Sequence, residues 1–120
     1  MTMLPILKLD ESAIPELILV VGDPSRLIEV ADRLRDVEDI GKNREYHSIT
    51  GYFNNKKLAA VSHGVGSAGA GACFEELCQG GAKKIIRAGS AGGLQQSVVA
   101  GDLVIARAAV REDQFLTSWS

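Results

Sequence analysis

The amino-acid sequence predicts an α/β fold built around a mixed sheet. Short aliphatic runs alternate with segments of helical periodicity, which is the pattern of strands covered by helices. Two strand-like segments joined by Asn54-Asn55 add an antiparallel hairpin. Three of the aliphatic runs stop in glycine-containing turns, and strands of one parallel sheet would bring these turns to a single edge.

The predicted elements follow one another as strand, helix, hairpin, helix, strand and strand. The continuous aliphatic run at 16–21 predicts a buried strand, and Asp23 and Pro24 are suited to begin a helix over 24–35. The remaining predicted elements are strands at 37–41, 46–53 and 56–62, a helix at 69–80, and strands at 83–87 and 102–106. Because no linker or repeat interrupts this order, we treat 1–120 as a single domain.

Length and charge exclude several classes of protein. A chain of 120 residues can bury a core, and its net charge of −2 provides no basic field for nucleic acid or an anionic membrane. No run approaches membrane-spanning length and no basic leader precedes an apolar segment, so we expect a cytoplasmic protein. Cys73 and Cys78 match no metal-ligand spacing, and we expect two buried free thiols and no metal site.

The first and third glycine turns predict a binding site for a compact oxyanion. The first turn contains Gly22 and Arg26, and the third contains Arg87 and Ser90. Exposed backbone amides and guanidinium groups suit phosphate, and the Ser90 hydroxyl adds a donor.

Arg87 has a structural alternative. An arginine at the end of a buried aliphatic strand is costly unless it meets an anion. An ion pair with Glu75 or Glu76 would also satisfy it, so the sequence leaves both interpretations open.

The middle turn spells G-x-G-x-x-G over Gly64–Gly69, between a predicted strand and a predicted helix. A dinucleotide site also needs an acid about 20 residues further on, for the ribose hydroxyls. Lys83, Lys84 and Arg87 occupy that neighbourhood instead. An NADP-binding domain is therefore kept as a weaker alternative.

Other polar residues have simpler interpretations. Asp23 is better explained as a helix cap than as an acid catalyst. Arg44 and Glu45 lie at a strand junction, where a surface ion pair is the plain explanation. His47 and His63 are expected to be hydrogen-bonded structural histidines.

Five blocks in the chain, taken in order, resemble the purine nucleoside phosphorylase and uridine phosphorylase family, and the protozoan-type purine enzymes most of all. The blocks lie between Leu17 and Asp113, and they read VVGDPSR, NREY, SHGVGSAGAGACFEEL, GAKKIIRAGSAGGLQ and GDLVIARAAVRED. The resemblance implies a three-layer α/β/α sandwich with a mixed central sheet, of which this chain would be the N-terminal half. It implies dimers or hexamers that split a nucleoside with inorganic phosphate, giving free base and ribose 1-phosphate. No other cofactor is implied.

The resemblance also implies roles for individual residues. Phosphate would be held by Gly22, Arg26, Arg87 and Ser90, with Arg44 reaching across a dimer interface, while Val65 and Gly66 would border the ribose. Ile6 stands where the family has a histidine that reaches a neighbour's ribose.

The family's ribose-binding glutamate and its general acid would lie beyond Ser120, and 114–120 depart from the family pattern. A phosphate- or nucleoside-binding fragment, or an assembly fragment without catalysis, is therefore an alternative function. Purine and pyrimidine preference stay open, because the base pocket would lie downstream.

Overall fold

The computed structural model describes residues 2–112, and the chain divides into two compact units, Met1–Ala88 and Gly89–Ser120. Residues 89–112 of the second unit form turns and irregular backbone. The strand predicted at 102–106 is therefore wrong. Its aliphatic side chains are exposed, Leu103 by 89% and Ile105 by 81%, and a strand needs a neighbour for its backbone hydrogen bonds. The segment 114–120, set apart in the sequence, lies outside the described residues.

The first unit contains the helices and strands of the described chain. They are β1 (Met3–Leu4), β2 (Leu9–Asp10), a 3-10 turn (Glu11–Ala13), β3 (Leu17–Val21), α1 (Arg26–Ala31), β4 (Arg35–Asn43), β5 (Tyr46–Phe53), β6 (Lys56–Ser62), α2 (Ser67–Gln79) and β7 (Lys84–Arg87).

The main sheet has the order β4-β5-β6-β3-β7. Strand β3 pairs in parallel with both β6 and β7, whereas β4, β5 and β6 form an antiparallel meander. Asn54 and Asn55 have φ values of 49° and 65°, as a two-residue hairpin turn requires. The mixed sheet and the hairpin were both predicted, and both are confirmed.

Helix α1 is shorter than the helix predicted at 24–35, because tight turns replace its ends. The amides of Arg26 and Leu27 donate to carbonyls three residues back, and so does that of Leu34 after the helix. The Asp23 carboxylate accepts the amide of Ser25 at 2.9 Å. Asp23 therefore stabilises the turn that precedes the helix, while Ser25 occupies the N-cap position.

Two cores cover opposite faces of the sheet, because side chains alternate along each strand. On one face, Ile18 and Val20 of β3 pack with Cys73 and Leu77 of α2 and with the N-terminal segment. On the other face, the core comprises Val21, Leu27, Ile49 and Ala60, with Val30 and Ala31 of α1 against it. The sheet is thus covered by α2 on one side and by α1 on the other.

The two cysteines differ in burial, so the prediction of two buried thiols is wrong for one of them. Cys73 is buried and Cys78 is exposed, and both are free. Five helical positions correspond to a rotation of about 140°, which carries Cys78 off the buried face. Burial raises the pKa of the Cys73 thiol to about 12, and nearby Glu76 adds to the effect.

A buried carboxylate attaches the N-terminal segment to α2. Glu76 is 5% exposed. Its Oε1 accepts the amide of Leu7 at 2.9 Å, and its two oxygens lie 2.9 and 3.1 Å from the amide nitrogen of Ile6. Asn43 holds the same turn from the other side, because its Nδ2 donates to the carbonyl of Ile6 at 2.7 Å. Within residues 2–112, no helix is long or apolar enough to cross a bilayer.

We expect Glu76→Gln to lower the free energy of unfolding by about 1–3 kcal/mol, because an amide NH2 would face backbone N–H donors in a buried site. Urea denaturation followed by circular dichroism measures the change. Glu75→Gln is the matched control, since Glu75 is exposed on the same helix. Equal stabilities for the two variants would contradict the structural role assigned to Glu76.

Candidate functional site

A cleft of about 1060 Å³ opens at the carboxyl ends of β3, β6 and β7. Its charged residues are Asp23, Glu45 and Arg87. The remaining lining consists of Gly22, Pro24, His63, Gly64, Val65, Gly66, Ser67, Ala70 and Phe74. The first two glycine turns and the end of β7 at Arg87 therefore meet at one edge of the sheet, as the sequence predicted.

Parallel register brings these turns together. Val20 of β3 is level with Val61 of β6 on one side and with Arg87 of β7 on the other. The backbone pairing continues past the strand ends, because the amide of His63 donates to Val21 and that of Gly64 donates to Gly22. These bonds hold the first and second turns side by side at 2.9 and 2.8 Å.

Arg87 lies at the end of β7, and its side chain is oriented by a histidine. Its Nε donates to Nε2 of His63 at 3.1 Å. Arg87 is exposed, so the expectation of a buried strand is wrong. Strand β7 pairs only with β3 among residues 2–112 and is the edge of the sheet there.

The ion-pair alternative for Arg87 is not observed among the described residues. Glu76 instead accepts the amides of the N-terminal turn, and Arg87 forms no ion pair within residues 2–112. Its guanidinium is directed towards the cleft without a carboxylate partner there.

His63 is buried, with 3% of its surface exposed. Its ring meets that of Phe74 edge-on, with centroids 5.8 Å apart and an interplanar angle of 80°. Burial lowers the pKa of His63, and the nearby positive charge of Arg87 lowers it further, so the ring is neutral at neutral pH. His47 also has a hydrogen bond, to Asp39 at 2.7 Å. The prediction of two hydrogen-bonded histidines is confirmed.

Gly22 leaves space beside the guanidinium. A Cβ added at this position would lie 3.6 Å from Nη2 of Arg87 and 3.8 Å from Cε1 of His63. Such an atom would fit in ordinary van der Waals contact, but it would occupy the space beside the guanidinium.

Glu45 was not predicted as part of this site. Its side chain packs on Gly64, where φ is +74° and an added Cβ would overlap the Glu45 Cγ. The buried hydroxyl of Ser62 fixes the hairpin that carries Glu45, since it donates to the Glu45 carbonyl at 2.6 Å and accepts the amide of His47 at 2.9 Å. In the sequence, the only indication of this arrangement was the position of Ser62 at the end of an aliphatic strand.

Arg26 and Arg44, two other residues of the predicted phosphate set, are not among the residues that line the cleft. Arg26 is half-buried at the start of α1. Arg44 is exposed at the tip of the β4–β5 hairpin, where φ is +53°, and it lines a separate cavity beside the N-terminal turn. Ser90 belongs to the second unit. The structure thus places Gly22 and Arg87 together and does not bring Arg44 into the cleft of its own chain.

The predicted ribose residues lie on the rim of the cleft at the start of α2. Val65 is fully exposed, and Gly66 is the N-cap residue of the helix. Tyr46 anchors this end of α2, because its hydroxyl donates to the carbonyl of Gly69 at 2.9 Å. Across residues 2–112, no three histidine, cysteine, aspartate or glutamate side chains cluster so as to bind a metal ion.

Comparisons with known proteins point to one family. The model of the Phosphorylase superfamily matches residues 16–119. The chain is 50% identical to the purine nucleoside phosphorylase of Plasmodium falciparum over 109 residues, which are 90% of this chain and 44% of that protein. It is 37% identical to the uridine phosphorylase of Haemophilus influenzae over 97 residues, covering 81% of this chain and 38% of that protein.

Two solved structures show the same fold. The uridine phosphorylase of Vibrio fischeri ES114 superposes with a TM-score of 0.95 at 30% identity, over all of this chain and 50% of that one. The purine nucleoside phosphorylase of Toxoplasma gondii in complex with immucillin-H gives 0.78 at 34% identity, over 82% of this chain and 40% of that one. The chain spans half or less of the length of these proteins, and the predicted α/β class is confirmed.

We expect Gly64→Ala to destabilise the protein by about 3 kcal/mol, from left-handed backbone strain and overlap with Glu45. In a Glu45→Ala background the Cγ is gone, so the same substitution should cost about 1–2 kcal/mol. Thermal unfolding of the four proteins of this cycle measures the coupling. If the two costs are equal, Glu45 does not pack on Gly64.

Proposed function

The chain belongs to the phosphorylase superfamily, and we propose that it forms the phosphate-binding part of a nucleoside phosphorylase site. The observation that carries the proposal is the oriented guanidinium of Arg87 beside the bare backbone of Gly22, at the carboxyl ends of parallel strands. Ligands of open α/β sheets bind at such edges. The relatives are named as a purine nucleoside phosphorylase and a uridine phosphorylase, and these names indicate the class of reaction.

In the proposed reaction, phosphate attacks the anomeric carbon of a nucleoside and the base leaves, giving ribose 1-phosphate. The transition state has oxocarbenium character, so an anion held next to the ribose stabilises its developing positive charge. Holding phosphate in line with the leaving base also removes much of the entropic barrier. These two effects are what the residues of this chain would contribute.

We assign the phosphate to a set of donors centred on Arg87. Nη2 of Arg87 lies beside the position of a Gly22 Cβ, and the Gly22 amide, Arg26 and the Ser90 hydroxyl would complete the set proposed within the chain. Val65 and Gly66 would border the ribose. Phosphate is the co-substrate in this proposal, with no further cofactor.

The charge of the cleft supports a second copy of the chain as partner. The lining contains one guanidinium and two carboxylates, so it does not by itself present a positive field to a phosphate dianion. Arg26 from the same chain and Arg44 from a neighbouring copy would supply the missing cations. The exposed position of Arg44 at a hairpin tip suits that role.

Two titratable groups of the lining are unsuited to protonating a leaving base. Hydrogen bonds from Ser25 lower the pKa of Asp23, so its carboxyl stays ionised near neutral pH. His63 is neutral, and its Nε2 already accepts a hydrogen bond from Arg87. A general acid needs a pKa near the working pH and an available proton. In agreement with the family resemblance, we propose that the acid and the ribose-binding carboxylate come from outside residues 1–120.

The alternative is a fragment without catalysis, which binds phosphate or a nucleoside or takes part in assembly. It makes the same prediction for phosphate binding by this chain, but it does not predict catalysis by a complete enzyme. The NADP alternative stays the weaker one, because Lys83, Lys84 and Arg87 occupy the neighbourhood in which a dinucleotide site needs an acid.

We expect inorganic phosphate to bind the chain, and Arg87→Ala to weaken binding about 10–100-fold, the cost of losing a charged hydrogen-bond donor. Gly22→Ala should weaken it to an intermediate degree, since its Cβ would fill the space beside Nη2. Isothermal titration calorimetry at fixed ionic strength measures both. Lys84→Ala is the control, because Lys84 lies at the opposite end of the same strand, level with Leu17. An Arg87→Ala affinity equal to that of Lys84→Ala would refute the assignment.

We expect the 120-residue chain to show no phosphate-dependent cleavage of inosine or uridine, because the general acid and the ribose-binding carboxylate are proposed to come from outside residues 1–120. Release of free base is followed by chromatography, with a nucleoside phosphorylase assayed in parallel. Turnover that disappears in Arg87→Ala would show that these residues suffice for catalysis.

A further inference from the structure

We infer that His63 is a positioning residue of the anion site, whose ring nitrogen fixes the Arg87 guanidinium in one orientation. The inference rests on the proposed function, because it concerns the group to which phosphate is assigned. It adds a residue that the phosphate set did not contain.

The hydrogen bond uses one particular donor of the arginine. A guanidinium has five N–H donors in a rigid plane, one on Nε and two on each terminal nitrogen. The Nε donor is committed to His63 at 3.1 Å. The side-on pair formed by Nε and Nη2 is therefore closed to an oxyanion, while the end-on pair formed by Nη1 and Nη2 stays open. Two oxygens of phosphate can bind such a pair in parallel.

The oriented guanidinium lies beside the first turn. Nη2 lies 3.6 Å from the point where a Gly22 Cβ would stand, so this end of the guanidinium faces the bare backbone of the first turn. Cε1 of His63 lies 3.8 Å from the same point. The imidazole, the guanidinium and the glycine thus border one small space.

His63 is itself held rigidly, which an orienting group requires. It is 3% exposed, and Phe74 of α2 packs edge-on against its ring. Its backbone amide is paired with β3 through the carbonyl of Val21 at 2.9 Å. An exposed arginine is thereby attached to a fixed point of the core, and less side-chain entropy is lost when an anion binds.

The arrangement requires a neutral ring with its proton on Nδ1. Arginine cannot give up its proton, so Nε2 must be the acceptor and Nδ1 carries the hydrogen. The charged groups that line the cleft with His63 are Asp23, Glu45 and Arg87. Burial and the Arg87 charge both oppose protonation of the ring, which agrees with this form.

Three measurements on the full chain test the inference. Long-range nitrogen–proton NMR of the wild type reports the tautomer of His63, and we expect Nδ1–H, which is the less common form in free histidine. Calorimetry with inorganic phosphate compares His63→Leu, which keeps volume but removes the acceptor, with His63→Gln, whose amide oxygen can replace Nε2. We expect roughly tenfold weaker binding for leucine, the effect of one hydrogen bond, and near wild-type binding for glutamine.

The control is His47→Gln, because His47 pairs with Asp39 outside the cleft and should bind phosphate like the wild type. Wild-type binding by His63→Leu, with loss in Arg87→Ala, would overturn the inference and leave the proposed function intact. An Nε2–H tautomer would overturn it by itself. If His63→Leu does not fold, the glutamine variant and the tautomer decide.

A wild-type chain that binds no phosphate would instead refute the proposed function. The orientation of Arg87 by His63 would then be judged on the tautomer alone.

Discussion

The central position of β3 is the constraint on which the rest of the structure depends. This strand pairs in parallel with β6 on one side and with β7 on the other. Ile18 and Val20 are fully buried under α2 and the N-terminal segment, while Val21 is buried against the opposite core. Since parallel neighbours end at the same edge, three segments that are distant in sequence deliver their turns to one cleft. Because β7 is a direct neighbour of β3, Gly22 lies beside Arg87.

Around that cleft, neutral hydrogen bonds rather than ion pairs set the geometry. Ser62 is fully buried and fixes the hairpin of Glu45, and His63 fixes Arg87. A neutral acceptor orients a guanidinium without cancelling its charge, whereas a carboxylate in the same position would satisfy the arginine and compete with any anion. Within the described residues, Arg87 is therefore oriented by a neutral hydrogen bond and forms no ion pair.

Local chemistry made much of this fold predictable. The Asn54-Asn55 turn fixed the hairpin, and strands β5 and β6 have the predicted bounds. Family blocks pointed to Gly22 and Arg87. The sequence could not show that Arg87 is exposed, because burial of a strand depends on its neighbours, nor that Glu45 reaches Gly64 through a hairpin. The failed strand at 102–106 has the same cause: aliphatic composition is local, but strand formation requires a partner.

Among residues 2–112, β7 is the edge of the sheet, and this position has a consequence for how these strands pair and separate. Short connections join β4, β5 and β6, so pairing of these strands costs little chain entropy. We therefore expect this meander to form early in folding. Residues 22–83, about half of the chain, separate β3 from β7, and Ile86 on β7 is 57% exposed. We expect its amides to exchange with solvent before those of β3 and β6, since local opening begins where few neighbours must be broken. Arg87, whose guanidinium lines the cleft, would thus lie on the strand that pairs last during folding and separates first on local opening.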